Sequence, residues 1–369
     1  MTQLLYVSIL IVALGFAYLS QKRNKKFYLF LLVAILTFAA GFRGVSCGVD
    51  TPTYYEHITN GFPYHWQFRE EGFRFIANFF MDSFQNPQLV FVFCAFVTNL
   101  LILLRLWDFK DDANFGFMTL LYLLLYYTNS MNIMRQYVAV AIIFYGTRYL
   151  NRNKLLFIPF VIAAFFIHRS SLLALGYFVI SLWAGFSKKQ RQLFFLPLIL
   201  VMVGAVSYVA SYLASDITSY RSRTVQNINI TYFYILIVFV FTIFLQKKNL
   251  YIKVTSYNKM RHYDGYAIDK DIVYYVFIGL VFSCLSMFFA FVGRTGLYYS
   301  IFDIVFWGIA CKKFKNARFN KFLILVYAFY IFGLVIFRND CLLFPYSIFF
   351  ISRRIEYGKT ISFSCDYIL

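Results

Sequence analysis

Apolar runs separated by short polar breaks recur along the whole chain, many of them 15 to 22 residues long. As helices rising about 1.5 Å per residue, such runs cross or nearly cross the roughly 30 Å hydrocarbon core of a bilayer. They fall near 4–19, 27–42, 88–107, 115–128, 136–150, 155–167, 171–184, 193–213, 231–245, 272–292, 296–311, 322–337 and 341–352. The pattern predicts an all-α, polytopic transmembrane helix bundle of about 12–13 spans. Taken as one helix, 155–184 would reach about 43 Å, longer than a bilayer core needs. A break at His168-Arg169-Ser170-Ser171 gives two short spans meeting at an external turn. Within the polar stretch 43–87, Phe73, Ile76, Ala77, Phe80 and Phe84 recur at helical spacing, with Arg74, Asn78 and Asp82 on the other side. That predicts an amphipathic helix over 72–84, lying on the outer leaflet as an anchor for the loop or as a wall of a headgroup site.

Composition agrees with the periodicity, since a chain with 22% aromatic and only 14% charged residues is unlike an ordinary soluble domain. The first run lacks the basic leader of a cleaved signal; Lys22, Arg23, Lys25 and Lys26 follow it, so it is expected to be retained with its N-terminus outside. Cytoplasmic loops collect basic residues. The clusters 21–26, 148–154, 188–191, 247–270, 312–321 and 353–359 all fall on one side if the spans alternate, with the C-terminus inside. The loop 105–112, with three aspartates against two basic residues, takes its side from its neighbours.

The opposite side then carries Arg43, Arg69, Arg74, Arg135, Arg169, Arg221, Arg223, Arg294 and Arg338 and none of the 17 lysines. Arginine offers a planar fork of donors that matches phosphate or carboxylate and keeps its charge when partly desolvated. Snorkelling and pairing with acids account equally well for any single one of them. The longest loops, 43–87 outside and 246–271 inside, are too short for independent cores, so the chain reads as one integral membrane domain. The six cysteines show no C-x-x-C spacing and there are four histidines, which disfavours a metal centre. Cys47 and Cys341 both fall outside and could bridge. No Walker or Ser-x-x-Lys pattern is present, which disfavours an ATP-driven pump.

Five polar constellations stand at the outer ends of spans. In residues 41–56, Gly44 and Gly48 allow close approach to a ligand, Arg43 offers a fork, and Asp50 can accept a hydroxyl proton, orient the arginine or cap the next helix. Asn132, Arg135, Gln136 and Ala139 lie at i, i+3, i+4 and i+7, one stripe of a single helix that can meet a ligand or brace a neighbour. His168 ends an apolar run and can act as a base, a donor to phosphate or a cap. Gly293-Arg294-Thr295-Gly296 precedes Tyr298 and Tyr299, and Arg338-Asn339-Asp340 precedes Pro345-Tyr346. Asp303, an acid near the middle of a predicted span, suggests a proton path, a substrate contact or an inward structural pair.

Four of these segments in order, FRGVSCGVDTPTYYEHI from Phe42, NIMRQYVAVAIIFYGTRYL from Asn132, FFIHRSSLLAL from Phe165 and GRTGLYYSIF from Gly293, resemble the EpsG-type branch of the Wzy polysaccharide polymerases. The FPY near the C-terminus is compatible with that pattern. The resemblance spans roughly residues 40 to 300, and Cys47 departs from it. It implies a GT-C-like membrane glycosyltransferase in the bacterial cytoplasmic membrane, working on its outer face without a metal or other cofactor. Such an enzyme moves a growing O-antigen, capsule or exopolysaccharide chain from undecaprenyl diphosphate to a hydroxyl of the next lipid-linked repeat unit. The implied partners are that lipid-linked oligosaccharide, membrane lipids and a chain-length regulator, with no nucleic acid. Carried over by position, the matching residues are Arg43, Gly48, Asp50, Tyr54, Asn132, Arg135, Gln136, His168 and Arg294.

That chemistry needs charge stabilisation of a departing diphosphate and a base for the attacking hydroxyl. Arg135 and Arg294 are assigned to the diphosphate with Arg43 and Arg338 in support, and Asp50 or His168 to the hydroxyl. Gly48, Tyr54, Asn132, Gln136 and Tyr298 complete the expected substrate-binding set. Tyr54, Tyr55, Trp66, Tyr298 and Tyr299 can stack on sugar rings, although such residues also populate interfaces. A flippase for the same lipid-linked oligosaccharide would place its polar groups at mid-membrane and often show internal repeats; here they gather at span ends without a repeat. An O-antigen ligase typically has a longer outer loop late in the chain, and an acyltransferase a histidine near the first span.

Overall fold

The computed structural model describes residues 2–63, 70–150, 153–185, 234–240, 271–286, 290–314, 316–339, 343–344 and 346. The described residues form helices and short turns, with no strand. The predicted runs 193–213 and 341–352, most of 231–245, the loop 246–271, Trp66, Arg69, Arg221, Arg223 and Cys341 lie outside or largely outside them. Among the described residues, three helices, Gln3–Arg23, Gln88–Asp108 and Ala317–Arg338, are long and apolar enough to cross a membrane. Lys26–Gly41, Lys154–Ile167, Arg169–Ser181 and Ile272–Leu285 are shorter apolar helices.

The chain divides into two compact units: residues 1–145, 163–169 and 328–369 form the first, and 146–162 with 170–327 the second. In the first, helix α1 (Thr2–Arg23) buries Tyr6, Leu10, Ala13, Ala17 and Ser20 at helical spacing while Leu4, Ile11, Val12 and Tyr18 stay exposed. An apolar face of that length left uncovered suits hydrocarbon, not water. Gln21 near its end accepts hydrogen bonds from the first amides of a later helix, Phe115 N at 2.9 Å and Gly116 N at 3.4 Å. Helix α2 (Lys26–Gly41) packs on the helix Gln88–Asp108, and Gly41 makes this possible: a Cβ there would lie 2.7 Å from Val92 Cα.

Helix ends leave carbonyls without intrahelical partners, and in a dry surrounding each must be matched. At the end of α2 the accounting closes. Phe38 O accepts from Phe42 N at 3.0 Å, Ala39 O from Tyr346 Oη at 2.7 Å, Ala40 O from Arg43 Nη1, and Gly41 O from Gln88 Nε2 at 2.5 Å. After this cap come α3 (Thr51–Asn60), α4 (Glu71–Phe84) and α5 (Gln88–Asp108). In α4, Phe73 and Ala77 are buried, while Phe75, Phe79 and Phe84 are exposed.

The stripe expected on one helix from Asn132 to Ala139 is interrupted. Helix α6 (Phe115–Tyr122) passes through a π turn, Leu123–Tyr127, into α7 (Thr128–Asn132), and α8 (Met134–Gly146) starts beyond Ile133. Ile133, at φ −91° and ψ 53°, leaves helical geometry, so Asn132 and Arg135 stand on separate helices with separate partners. The break at His168 is present, between α9 (Ile158–Ile167) and a 3₁₀ turn, Arg169–Ala174, that leads into α10 (Leu175–Gly185).

In the second unit, Gly293-Arg294-Thr295-Gly296 was expected as a loop but lies inside a helix. Helix α11 (Asp271–Leu285) packs against α12 (Ala290–Ser300) through small residues. A Cβ on Gly296 would meet Phe282 Cβ at 2.6 Å, and one on Gly279 would meet Ser300 N at 2.8 Å. These glycines serve helix contact, not a turn. The predicted run 296–311 is likewise divided, since α12 ends at Ser300 and α13 (Asp303–Lys313) begins after a short turn. Asp303 is therefore the first residue of a helix, where a carboxylate complements the positive end of the dipole, and not an interior residue of a continuous one. Helix α14 (Ala317–Gly333) closes the described helices.

Candidate active site

The loop leaving α2 is shaped by its glycine and its arginine. Gly48 has φ +104°, a conformation L side chains rarely adopt, and a Cβ there would sit 2.4 Å from Asn132 Oδ1 and 2.9 Å from Thr51 Oγ1. The close approach lets Asn132 Oδ1 accept from Val49 N at 2.9 Å, which ties the loop to α7. Arg43, 2% exposed, donates to Ala40 O, to Met131 O at 2.5 Å and to Thr51 Oγ1 at 3.3 Å, with its guanidinium 5.0 Å from the Phe91 ring. It is an internal brace whose fork joins α2, α3 and the end of α7. Cys47 beside it is a buried thiol. Asp50 occupies the position before α3, yet its side chain makes no capping hydrogen bond.

Around Tyr54, on the first turn of α3, the first unit gathers its charged groups. Arg135 Nε donates to Tyr54 Oη at 3.1 Å, and its guanidinium stands 5.1 Å from the Tyr54 ring and 5.5 Å from that of Phe73. Arg135 Nη1 also donates to Glu70 Oε2, while Glu70 Oε1 pairs with His168 Nδ1. Burial pushes the Tyr54 phenol above its usual range against the opposing charge and hydrogen bond of Arg135, and Asp50 and Glu70 add to the rise. For the Glu70 carboxyl, burial works upward. The hydrogen bond from His168 and the charges of His168, Arg135 and Arg169 outweigh it, so Glu70 is held below its ordinary range.

Glu70 was not singled out in the sequence. It lies 65 residues from Arg135 and 98 from His168, so no local spacing links the three. Two local features place it. Its backbone is left-handed, φ 56° and ψ 49°, while its carbonyl accepts the first amides of α4, Phe73 N at 3.1 Å and Arg74 N at 3.2 Å. Gly72 lets the start of α4 approach the end of α9: a Cβ there would stand 2.9 Å from the Phe166 carbonyl oxygen. The readable signal was the Glu70-Glu71-Gly72 triplet immediately ahead of an amphipathic run.

The remaining expected residues are placed differently. Gln136 is buried on α8, and Arg338 is exposed at the end of a π turn, Leu334–Arg338. Arg294 belongs to the second unit and is exposed on α12. Tyr298 is fully buried, its hydroxyl 3.2 Å from Ser170 Oγ, because the helical register of α12 turns it into that unit's core. Tyr299 is covered on both faces, by Tyr177 with ring centres 4.7 Å apart and by Phe282 at 6.1 Å. Tyr55 stacks on Phe91.

Neither the curated proteins nor the solved structures contain a match to this chain. A family model described as the EpsG family matches residues 29–348, which takes in every segment described above from α2 to Tyr346. The chain, a polysaccharide-polymerase-like membrane protein, belongs to the EpsG family.

Proposed function

We propose that this protein is a membrane glycosyltransferase of GT-C-like architecture that polymerises lipid-linked repeat units. It transfers a growing glycan from undecaprenyl diphosphate to a hydroxyl of the next unit, at the outer face of the bacterial cytoplasmic membrane and without a metal. The observation that carries this reading is the cluster of Arg135, Glu70, His168 and Tyr54 beside the uncapped Asp50. It combines a forked cation for a departing diphosphate with two candidate acceptors for a hydroxyl proton.

In the reaction the acceptor oxygen forms a bond to the anomeric carbon while the bond from that carbon to the diphosphate oxygen breaks. The bonding pair leaves on the diphosphate, whose added charge Arg135 neutralises, with Arg338 as a further cation; Arg294, which belongs to the second unit, is tested as its own variant. The hydroxyl proton passes to Asp50 or His168. Arg43, Gly48, Asn132 and Gln136 shape the loop and helix ends that hold these groups, and Tyr54 presents its hydroxyl beside Arg135.

The test is complementation of a deletion strain with Arg135→Lys, Arg294→Lys, Asp50→Asn or His168→Ala, with surface glycan displayed on gels. Loss of the ladder with single units retained on the acceptor lipid supports a polymerase. Loss of even the single unit points to a flippase. Full ladders from all four variants at normal protein level would refute the site.

A further inference from the structure

Glu70 divides its two oxygens between different elements, one to the imidazole after α9 and the other to the guanidinium on α8, and its side chain is only 12% exposed. A carboxylate held in its ionised form can only accept, so the hydrogen in the contact with His168 resides on Nδ1. In the neutral ring Nε2 then carries the lone pair. Its left-handed backbone costs on the order of 1 kcal/mol or more, and such conformations persist where the surroundings over-determine them. Here the surroundings are the Gly72 approach to Phe166, the start of α4 and the contacts to Arg135 and His168. The charged and titratable groups facing Glu70 are Arg135 from α8, His168 and Arg169 from the turn after α9, and the phenol of Tyr54 from α3, which the Glu70 charge helps to keep protonated.

Resting on the polymerase reading, we propose that Glu70 is a positioning residue for the transfer step. It fixes His168 in the Nδ1–H form, which makes Nε2 the atom that takes the acceptor hydroxyl proton. Its second oxygen aims the Arg135 fork at the departing diphosphate. One carboxylate thereby holds the base for the bond that forms and the cation for the bond that breaks. This assigns the proton to His168 over Asp50, because His168 alone has an ionised partner that sets its tautomer, the arrangement by which a buried carboxylate orients a catalytic imidazole elsewhere.

Two measurements on the full-length protein in lipid nanodiscs decide it. Nitrogen-15 histidine spectra, with the His168 signal among the four histidines identified by His168→Ala, are expected to show the neutral ring only as its Nδ1–H tautomer, and Glu70→Gln to abolish that single tautomer. Polymerisation of a lipid-linked repeat-unit extract from deletion cells gives the second readout. There Glu70→Gln should lower kcat roughly 100-fold with KM within about twofold, and Glu70→Asp should recover part of the loss. In a His168→Ala background, Glu70→Gln should cost clearly less than it does alone, since only the share carried through Arg135 is left to lose. An unchanged His168 tautomer in Glu70→Gln, or losses that multiply in the double variant, would make Glu70 a brace and overturn the proposal. Failure of the wild-type protein to extend the extract at all would instead overturn the functional reading and this role with it, leaving the tautomer to report on the contact alone.

Discussion

Arg43 and Arg135 look alike along the chain, each beside polar residues at the end of an apolar run, yet they are spent differently. Arg43 gives its fork to backbone carbonyls and Thr51 in a dry pocket, so Arg43→Leu would strand Ala40 O and Met131 O and cost about 3 kcal/mol. Expected is a protein of low abundance whose thermal unfolding in detergent falls by several degrees. Arg135→Lys should instead leave abundance near wild type while polymer ladders vanish, because a point charge cannot hold Glu70 and Tyr54 together and still face an anion. Glu70 adds a pH signature. Its carboxyl is depressed when folded, so the stability it contributes is complete above its ordinary value of 4.5 and is lost as pH falls through the lower folded value. The melting difference between wild type and Glu70→Gln should shrink toward zero as pH falls below the ordinary carboxylate range. Arg135 and His168 were legible because composition and run ends mark them; Glu70 was not, because its role comes from two contacts far away in the chain.

Elements were legible where periodicity speaks and illegible where packing overrides it. The helix at 71–84 and the break at His168 follow from spacing and from the length an apolar run can usefully span. The break at Ile133 does not follow from periodicity: it goes with Asn132 turning to the loop of Gly48 while Arg135 turns to Glu70. Glycines misled for a related reason. Gly293 and Gly296 look like a turn, but they are the small residues at which α11 and α12 touch. Gly72 is the sharpest test at this scale. A branched side chain there collides with the Phe166 carbonyl and pushes α4 away from His168, so Gly72→Val should cost about 1–3 kcal/mol and depress specific activity beyond any loss of protein. Gly48→Ala meets both a left-handed backbone and Asn132 Oδ1, and it should release the loop amide of Val49 to faster hydrogen exchange.

For the molecule as a whole, the sided distribution of arginine and lysine supplies an orientation that can be checked directly. Ser46, exposed on the loop after α2, should react as Ser46→Cys with a membrane-impermeant maleimide on intact cells, whereas Lys22→Cys at the other end of the α1–α2 pair should require permeabilised cells. The reverse labelling would put Arg135 and Glu70 in the cytosol and end the proposed chemistry. The cap on α2 also bears on how the protein is made. Tyr346 reaches Ala39 across 307 residues of sequence, with Asn339 closing the intervening turn through Phe344 N at 2.9 Å and Phe344 O at 2.8 Å. A ribosome that has already inserted the segment carrying Arg43 and Gly48 must therefore translate on to Tyr346 before that helix end is sealed. Chains that have not yet reached Tyr346 keep the Ala39 carbonyl bare beside the Arg43 loop, so the seal on this early helix waits for a segment made long after it.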